Sequence, residues 1–198
     1  EQAGLSKSLT KKLMSFGAVW IRSKEAGLKK QRLRSHQKEL KSGMQVELYL
    51  DEKALNFRPQ MEPYIIHKGQ GFDIWYKPSG WLSQGSPFGD KYSLLRYAEV
   101  KRKKAYLVHR LDREVSGLLL IASNAKIAAY FSQNWTSKVK KFYQAEVLGK
   151  ITSANSFEIN SEVNGKTCQT WVTPLKVMEK VSKIEIEIIT GRKHQIRL

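Results

Sequence analysis

His109-Arg110-Leu111-Asp112-Arg113-Glu114-Val115-Ser116-Gly117-Leu118-Leu119-Leu120-Ile121-Ala122 sets one carboxylate between two guanidiniums and runs through a Ser-Gly turn into an unbroken apolar segment. The apolar segment reads as a buried strand over 117–122, and residues 105–111 as a strand on the other side of the charged loop. A carboxylate with cations on both sides stays ionised, because opposite charge nearby favours the charged form. That state suits a nucleophile or a stabiliser of positive charge better than a proton donor. An isolated Arg-x-Asp-Arg triplet reads more simply as weak ion pairs on a solvated loop, so the weight lies on the whole string.

The composition narrows the partners. With 198 residues and 41% hydrophobic content, the chain can hold one substantial domain, or a small module beside a larger core. Lys and Arg number 35 against 18 Asp and Glu, a net charge of +17, which calls for a polyanionic partner, nucleic acid first. No apolar run is long enough to span a bilayer and no start resembles a secretory signal, so a membrane partner is set aside. Cys168 is the only cysteine, so an intramolecular disulfide and a thiolate zinc cluster are excluded, in keeping with a reducing cytoplasm. The chain starts at Glu1 and stops directly after a motif, which reads as part of something longer.

Residues 1–52 read as a small α/β module. Ser6 or Ser8 can cap a helix with Leu9, Leu13 and Phe16 on one face and Gly17 at its end; Val19–Ile21 form a short strand. The basic insert LKKQRLRSHQKELK follows, and Met44, Val46, Leu48 and Leu50 then alternate with polar neighbours as a half-buried strand. Residues 53–70, with Pro59, Pro63 and Gly69 and little periodicity, read as a linker.

From residue 71 a larger domain is expected to run to 198. Phe72–Lys77 form a strand closed by Pro78-Ser79-Gly80, and Ser93–Val100 a helix. The cluster Lys101-Arg102-Lys103-Lys104 after that helix is a candidate for phosphate contact, against the plainer reading of a solvated helix end. Asn124 caps a helix to about Val139 with Ile127, Phe131 and Trp135 on one face as core packing. Strands are expected over 141–149, 156–163, 170–177 and around Ile184, Ile186 and Ile188. The sequence closes on Gly191-Arg192-Lys193-His194-Gln195-Ile196-Arg197. No glycine-rich phosphate loop, dinucleotide fingerprint or metal-spaced cluster is present; His109 is assigned to supporting the loop and His194 to structure.

The string HRLDREVSGLLLIA, together with KPSG before it and KFYQAEVLG and GRKHQIR after it, resembles the RluA-type RNA pseudouridine synthases. One departure is visible: Val115 stands where the family usually has Thr, keeping the β-branched shape without the hydroxyl. The order helix, GAV turn, basic insert and GMQVELYL strand similarly resembles the alpha-L RNA-binding domain of ribosomal small-subunit protein four.

The resemblance implies an α+β fold with a bent, mostly antiparallel sheet flanked by helices, and the strands that normally follow the last motif absent from this chain. It implies isomerisation of uridine to pseudouridine without cofactor or metal. Asp112 is then the catalytic carboxylate; whether it adds to C1′, adds to the base or assists glycal formation stays open. Arg197 pairs with it, and Tyr143 stacks on uracil near the sugar. The uridine would be flipped out, with Arg110 filling the vacated stack and Arg192 and Lys77 meeting phosphate or bracing the pocket. The implied partner is RNA, ribosomal before transfer RNA; the oligomeric state stays open, with a monomer favoured. Two other readings compete: an inactive RNA-binding protein that retains the fold, and a ribonuclease using His109 and His194 as acid and base.

Overall fold

The computed structural model describes residues 4–22, 30–102, 104–192 and 194–197. The chain divides into two compact units, Glu1–Ala129 and Tyr130–Leu198. The α+β class holds: among the described residues all the paired strands are antiparallel, gathered in three sheets with a small number of helices between them.

The first unit opens with helix α1 (Lys7–Phe16). Ser6 caps it by accepting from Leu9 N, and Gly17, in the left-handed region at φ 82°, ends it. Strands β1 (Val19–Arg22), β2 (Gln31–Arg32) and β3 (Gln45–Leu48) form a sheet in the order β2-β1-β3. The helix and sheet share a core of Leu13, Phe16, Ala18, Val19, Ile21, Leu33 and Leu55. The basic insert is thus part of the fold, since Leu33 within it is buried. At the sheet edge β3 departs from the expected half-buried alternation, and Val46 remains 49% exposed.

The stretch 53–70, expected as an irregular linker, carries most of helix α2 (Glu52–Asn56) and strand β4 (Tyr64–Lys68). β4 lies at a sheet edge with four of its five residues exposed, and its register slips between Ile65 and His67. An edge strand so exposed shows no alternation in its sequence.

Strand β5 (Phe72–Lys77) lies beside β4 and helix α3 (Leu94–Arg102) follows it in the chain. Strands β6 (Tyr106–Leu107) and β7 (Gly117–Ala122) complete a sheet in the order β4-β5-β7-β6. The strand expected over 105–111 is thus only two residues long, and the rest of that stretch belongs to the Asp112 loop. Leu119 to Ala122 are all buried, as a strand covered on both faces requires. Leu119 and Ile121 pack with Trp75, Leu94 and Ala98.

Helix α4 (Ala125–Lys138) crosses the division between the units; Asn124 Oδ1 caps it by accepting from Ile127 N at 2.9 Å. The stripe Ile127, Phe131 and Trp135 is half-buried rather than fully enclosed. In the second unit β8 (Phe142–Leu148), β9 (Phe157–Val163), β10 (Lys166–Val177) and β11 (Val181–Ile188) make one antiparallel sheet, ordered β8-β11-β10-β9. Its core is Val172, Ile184, Ile186 and Ile188, with Tyr143, Ala145 and Val147 on the same side. A short 3-10 turn (Gln195–Arg197) ends the description, and Ile196 packs on that core. Among the described residues no helix is long and apolar enough to cross a membrane.

Candidate active site

Strand β5 ends at Lys77 and β7 begins at Gly117, paired with each other, so the turn after β5 and the loop before β7 leave the sheet side by side. Six hydrogen bonds knit them. Lys77 Nζ donates to Arg113 O at 3.2 Å, Ser79 Oγ to Glu114 O at 2.7 Å and Gly80 N to Arg113 O at 2.7 Å. Arg113 Nε donates back to Gly80 O at 3.2 Å. Ser83 Oγ donates to Leu111 O at 2.7 Å and accepts from Leu111 N at 2.9 Å. Asp112 therefore sits between residues whose backbone is held on both sides, an arrangement that keeps the loop in one place. Its own side chain is half-buried.

Val115, where the resemblance puts Thr, serves the loop through its backbone: Val115 N donates to Asp112 O at 3.2 Å. His109 supports the loop from below, with Nε2 accepting from Leu120 N at 3.1 Å. A ring nitrogen used as a backbone acceptor has its lone pair occupied, which weakens the acid–base reading of a ribonuclease. Arg113 does more than place charge beside Asp112. Its guanidinium lies over the Phe57 ring at 4.9 Å, so it also packs.

Lys77 corrects the phosphate half of its assignment. It is fully buried, and Nζ donates to Pro78 O at 3.1 Å and Trp81 O at 2.7 Å as well as to Arg113 O. An ammonium whose donors all meet carbonyls inside the protein braces the loop and has none left for a phosphate. Burial is the main cause that pulls its pKa from 10.5 to about 8, with the Glu114 and Asp112 charges opposing the shift. Between pH 8 and 10.5 the unfolded chain holds this proton more tightly than the folded one. The residue's contribution to stability therefore rises with pH across that window, by about 3 kcal/mol in all. Denaturant unfolding of wild type and Lys77→Met from about pH 7 to about pH 11 is expected to show the difference moving toward the wild type as pH climbs. A constant difference would mean that Lys77 keeps an ordinary pKa.

The basic cluster after α3 divides. Arg102 is paired with Asp73, 1% exposed on the buried face of β5. A buried carboxylate costs several kcal/mol unless it is paired, so this guanidinium is committed inward and the phosphate reading is withdrawn for it. Lys101 lies 4.4 Å from the Tyr97 ring centroid. Lys104 is exposed, as is Arg110 beside Asp112, and Lys103 lies outside the described residues.

In the second unit Tyr143 stands on β8, opposite Ile186 of β11, and is half-buried. Gln195, a residue the sequence reading passed over, organises the terminal motif. Its Oε1 accepts from Arg192 N at 2.9 Å and Thr190 Oγ1 at 3.0 Å; its Nε2 donates to Gln169 O at 2.9 Å and Thr170 Oγ1 at 3.0 Å. These bonds use both donors and both acceptor positions of a buried amide. They hold a turn in which His194 adopts φ 60°, a left-handed conformation costing about 1–2 kcal/mol in a residue with a Cβ. Arg192 Nε is spent on Thr167 O at 3.0 Å, while Arg197 is exposed at the end of the turn. A Gln inside a basic motif gives no sign in sequence that it is buried; its position between Thr190 and the β10 strand is a tertiary fact. Among the described residues no three His, Cys, Asp or Glu side chains converge as a metal site would require.

Known proteins are similar to this chain. A family profile described as RNA pseudouridylate synthase matches residues 72–198, from the start of β5 through the terminal motif. An RNA pseudouridine synthase of Mycoplasma genitalium, itself uncharacterised, is 32% identical over 178 residues, covering 78% of this chain and 58% of its own length. The ribosomal large subunit pseudouridine synthase C of Vibrio parahaemolyticus is 35% identical over 160 residues, covering 73% of this chain and 50% of its own. The chain thus spans about half the length of the curated relatives it matches. Among solved structures, human RNA pseudouridylate synthase domain containing 1 aligns with a TM-score of 0.59 at 20% identity, over 71% of this chain and 66% of that one. Human RNA pseudouridylate synthase domain containing 4 aligns with a TM-score of 0.54 at 23% identity, over 67% of this chain and 61% of that one. Those two likenesses speak for the fold alone. The profile match runs through the Asp112 loop, the β8 tyrosine strand and the Gln195 turn, and on it the chain belongs to the RNA pseudouridylate synthase family.

Proposed function

We propose that the protein isomerises uridine to pseudouridine in structured RNA, with Asp112 as the catalytic carboxylate. The observation that carries this reading is the clamped Asp112 loop within a stretch matched by the family profile. In this reaction the bond between N1 and the ribose C1′ breaks, the base turns, a bond forms from C5 to C1′, the C5 proton leaves and N1 gains one. No electrons and no activated group are consumed, so the groups needed are a carboxylate, a proton acceptor and a surface that holds the base.

Arg197 is proposed as the guanidinium that pairs with Asp112, and Tyr143 as the ring against uracil whose hydroxyl moves a proton. Arg110, exposed beside Asp112, would replace the flipped uridine in the stack, at an unstacking cost of about a few kcal/mol. Residues 1–52 are proposed as an alpha-L-like RNA-binding module preceding the catalytic domain. The relatives named for the ribosomal large subunit favour ribosomal over transfer RNA, and a cytoplasmic location is proposed with that substrate. Against an inactive RNA-binding protein with the same fold stand Asp112, Tyr143 and Arg197, all present in the sequence.

The test is tritium release from RNA labelled at uridine C5, using the purified chain. Wild type is expected to release label. Tyr143→Phe is expected to bind RNA normally and to react at least about a hundredfold more slowly. Wild-type kinetics in that variant would leave the hydroxyl without a role, and no release by the wild type would overturn the reading itself.

A further inference from the structure

A groove of about 290 Å³ in the first unit is lined by Ser15 of α1, Arg34, Lys91, and Arg96, Tyr97 and Lys101 of α3. Its chemistry is one-sided. Lys11 and Lys12 are exposed on α1, four and three residues before Ser15, so they lie on the same side of the helix. Asp90, Glu99 and Glu62 stand among these cations. Asp90 takes both Arg34, with NH1 to Oδ1 at 3.0 Å, and Arg32, with Nε to Oδ2 at 3.1 Å. Glu99 meets Arg96 at 3.3 Å, and Glu62, close to Lys101, accepts from the Tyr97 hydroxyl at 2.7 Å. Burial is the main influence holding Arg32 below its ordinary pKa; Asp90 and Glu99 oppose it, and the charges of Arg34 and Arg96 add to it. The cations named, Lys11, Lys12, Arg32, Arg34, Lys91, Arg96 and Lys101, outnumber Asp90, Glu99 and Glu62.

We propose that this groove is a second RNA-binding site, taking the phosphodiester backbone of a duplex segment along α1 and α3. The proposal rests on the reading that the substrate is RNA, and it adds a contact outside the loop that carries Asp112. The volume exceeds the roughly 30 Å³ share of one water severalfold, room enough for a phosphate group with its waters. Phosphate supplies the missing negative charge, and cations on a groove wall release counterions from it when it docks. The groove joins the α1 module to α3, so a duplex lying in it would be gripped by both parts of the first unit.

The experiment titrates a fluorescein-labelled RNA hairpin with the full chain across a salt series. Lys91→Gln with Arg96→Gln is expected to weaken binding about tenfold at moderate salt and to lower the slope of log affinity against log salt by about two. The charge-keeping pair Lys91→Arg with Arg96→Lys is expected to hold the wild-type slope, which separates charge from folding. Lys53→Gln with Lys68→Gln removes the same net charge elsewhere and is expected to change the slope by less. An unchanged slope in the first pair, or an equal fall in the third, overturns the proposal. A wild type that forms no pseudouridine while the first pair still loses binding would sink the catalytic reading and leave the groove standing.

Discussion

Replacing Asp112 by Asn is expected to abolish pseudouridine formation while leaving the fold and RNA affinity in place. Asn has nearly the same shape but no charge and no nucleophilic oxygen, so whichever of the three routes the carboxylate takes, the reacting group is gone. The loss is expected to reach at least about 10⁴-fold, the scale seen when a group acting directly on the reacting centre is removed. Retention of the fold follows from how the loop is held. The six clamping bonds run through the backbone of Leu111, Arg113 and Glu114 and through Lys77, Ser79, Gly80, Ser83 and Arg113, and none uses the Asp112 side chain. Tritium release paired with hairpin binding and a thermal melt separates the outcomes. Turnover in the variant would reject the carboxylate assignment; a lost melt would mean that the side chain holds the loop after all.

The second large effect falls on stability. Asp90 is 8% exposed and anchors two guanidiniums, while its backbone N donates to Phe16 O at 3.0 Å and its carbonyl accepts from both Ser93 N and Ser93 Oγ at 3.0 Å. It fastens the strap after Ser83 to the α1 module, and Arg32 strengthens that seam with a bond to Ser86 O at 2.9 Å. Trp20 Nε1 adds another to Pro87 O at 3.0 Å. Asp90→Asn would leave Arg32 and Arg34 side by side without their counter-charge. Removing one partner of a buried ionic cluster costs about 3–5 kcal/mol; Arg34 is about a third exposed, so the lower end applies. A drop in Tm on the order of 10 °C is expected, with partial recovery in Asp90→Glu. A melt shifted by less than about 0.5 kcal/mol would show that the cluster is only a surface feature.

The elements around the candidate site were more legible in sequence than the scaffold that supports them. The Asp112 loop, the β7 strand and the cap of α4 are local patterns, and each appears where its residues put it. Lys77 and Asp73 were hidden for a physical reason. On β5 the buried face is Asp73, Trp75 and Lys77, while Phe72, Ile74 and Tyr76 stay half-exposed, so hydrophobicity points to the wrong face. What reverses it is tertiary: Arg102 answers Asp73, and three carbonyls answer Lys77. Arg34 and Asp90 are likewise separated by 56 residues, and nothing near either announces the other. Gln195 carries no local sign of its role either, since its partners Gln169 and Thr170 lie on β10, more than twenty residues earlier in the chain.

Site-resolved pseudouridine mapping of ribosomal RNA tests the central claim most directly, comparing cells that lack the protein with cells given back the wild type or Asp112→Asn. The expected map loses pseudouridine at one or a few uridines in the deletion, regains it with the wild type and fails to regain it with Asp112→Asn. Identical maps in all these cells, or restoration by the Asn variant, would contradict the claim.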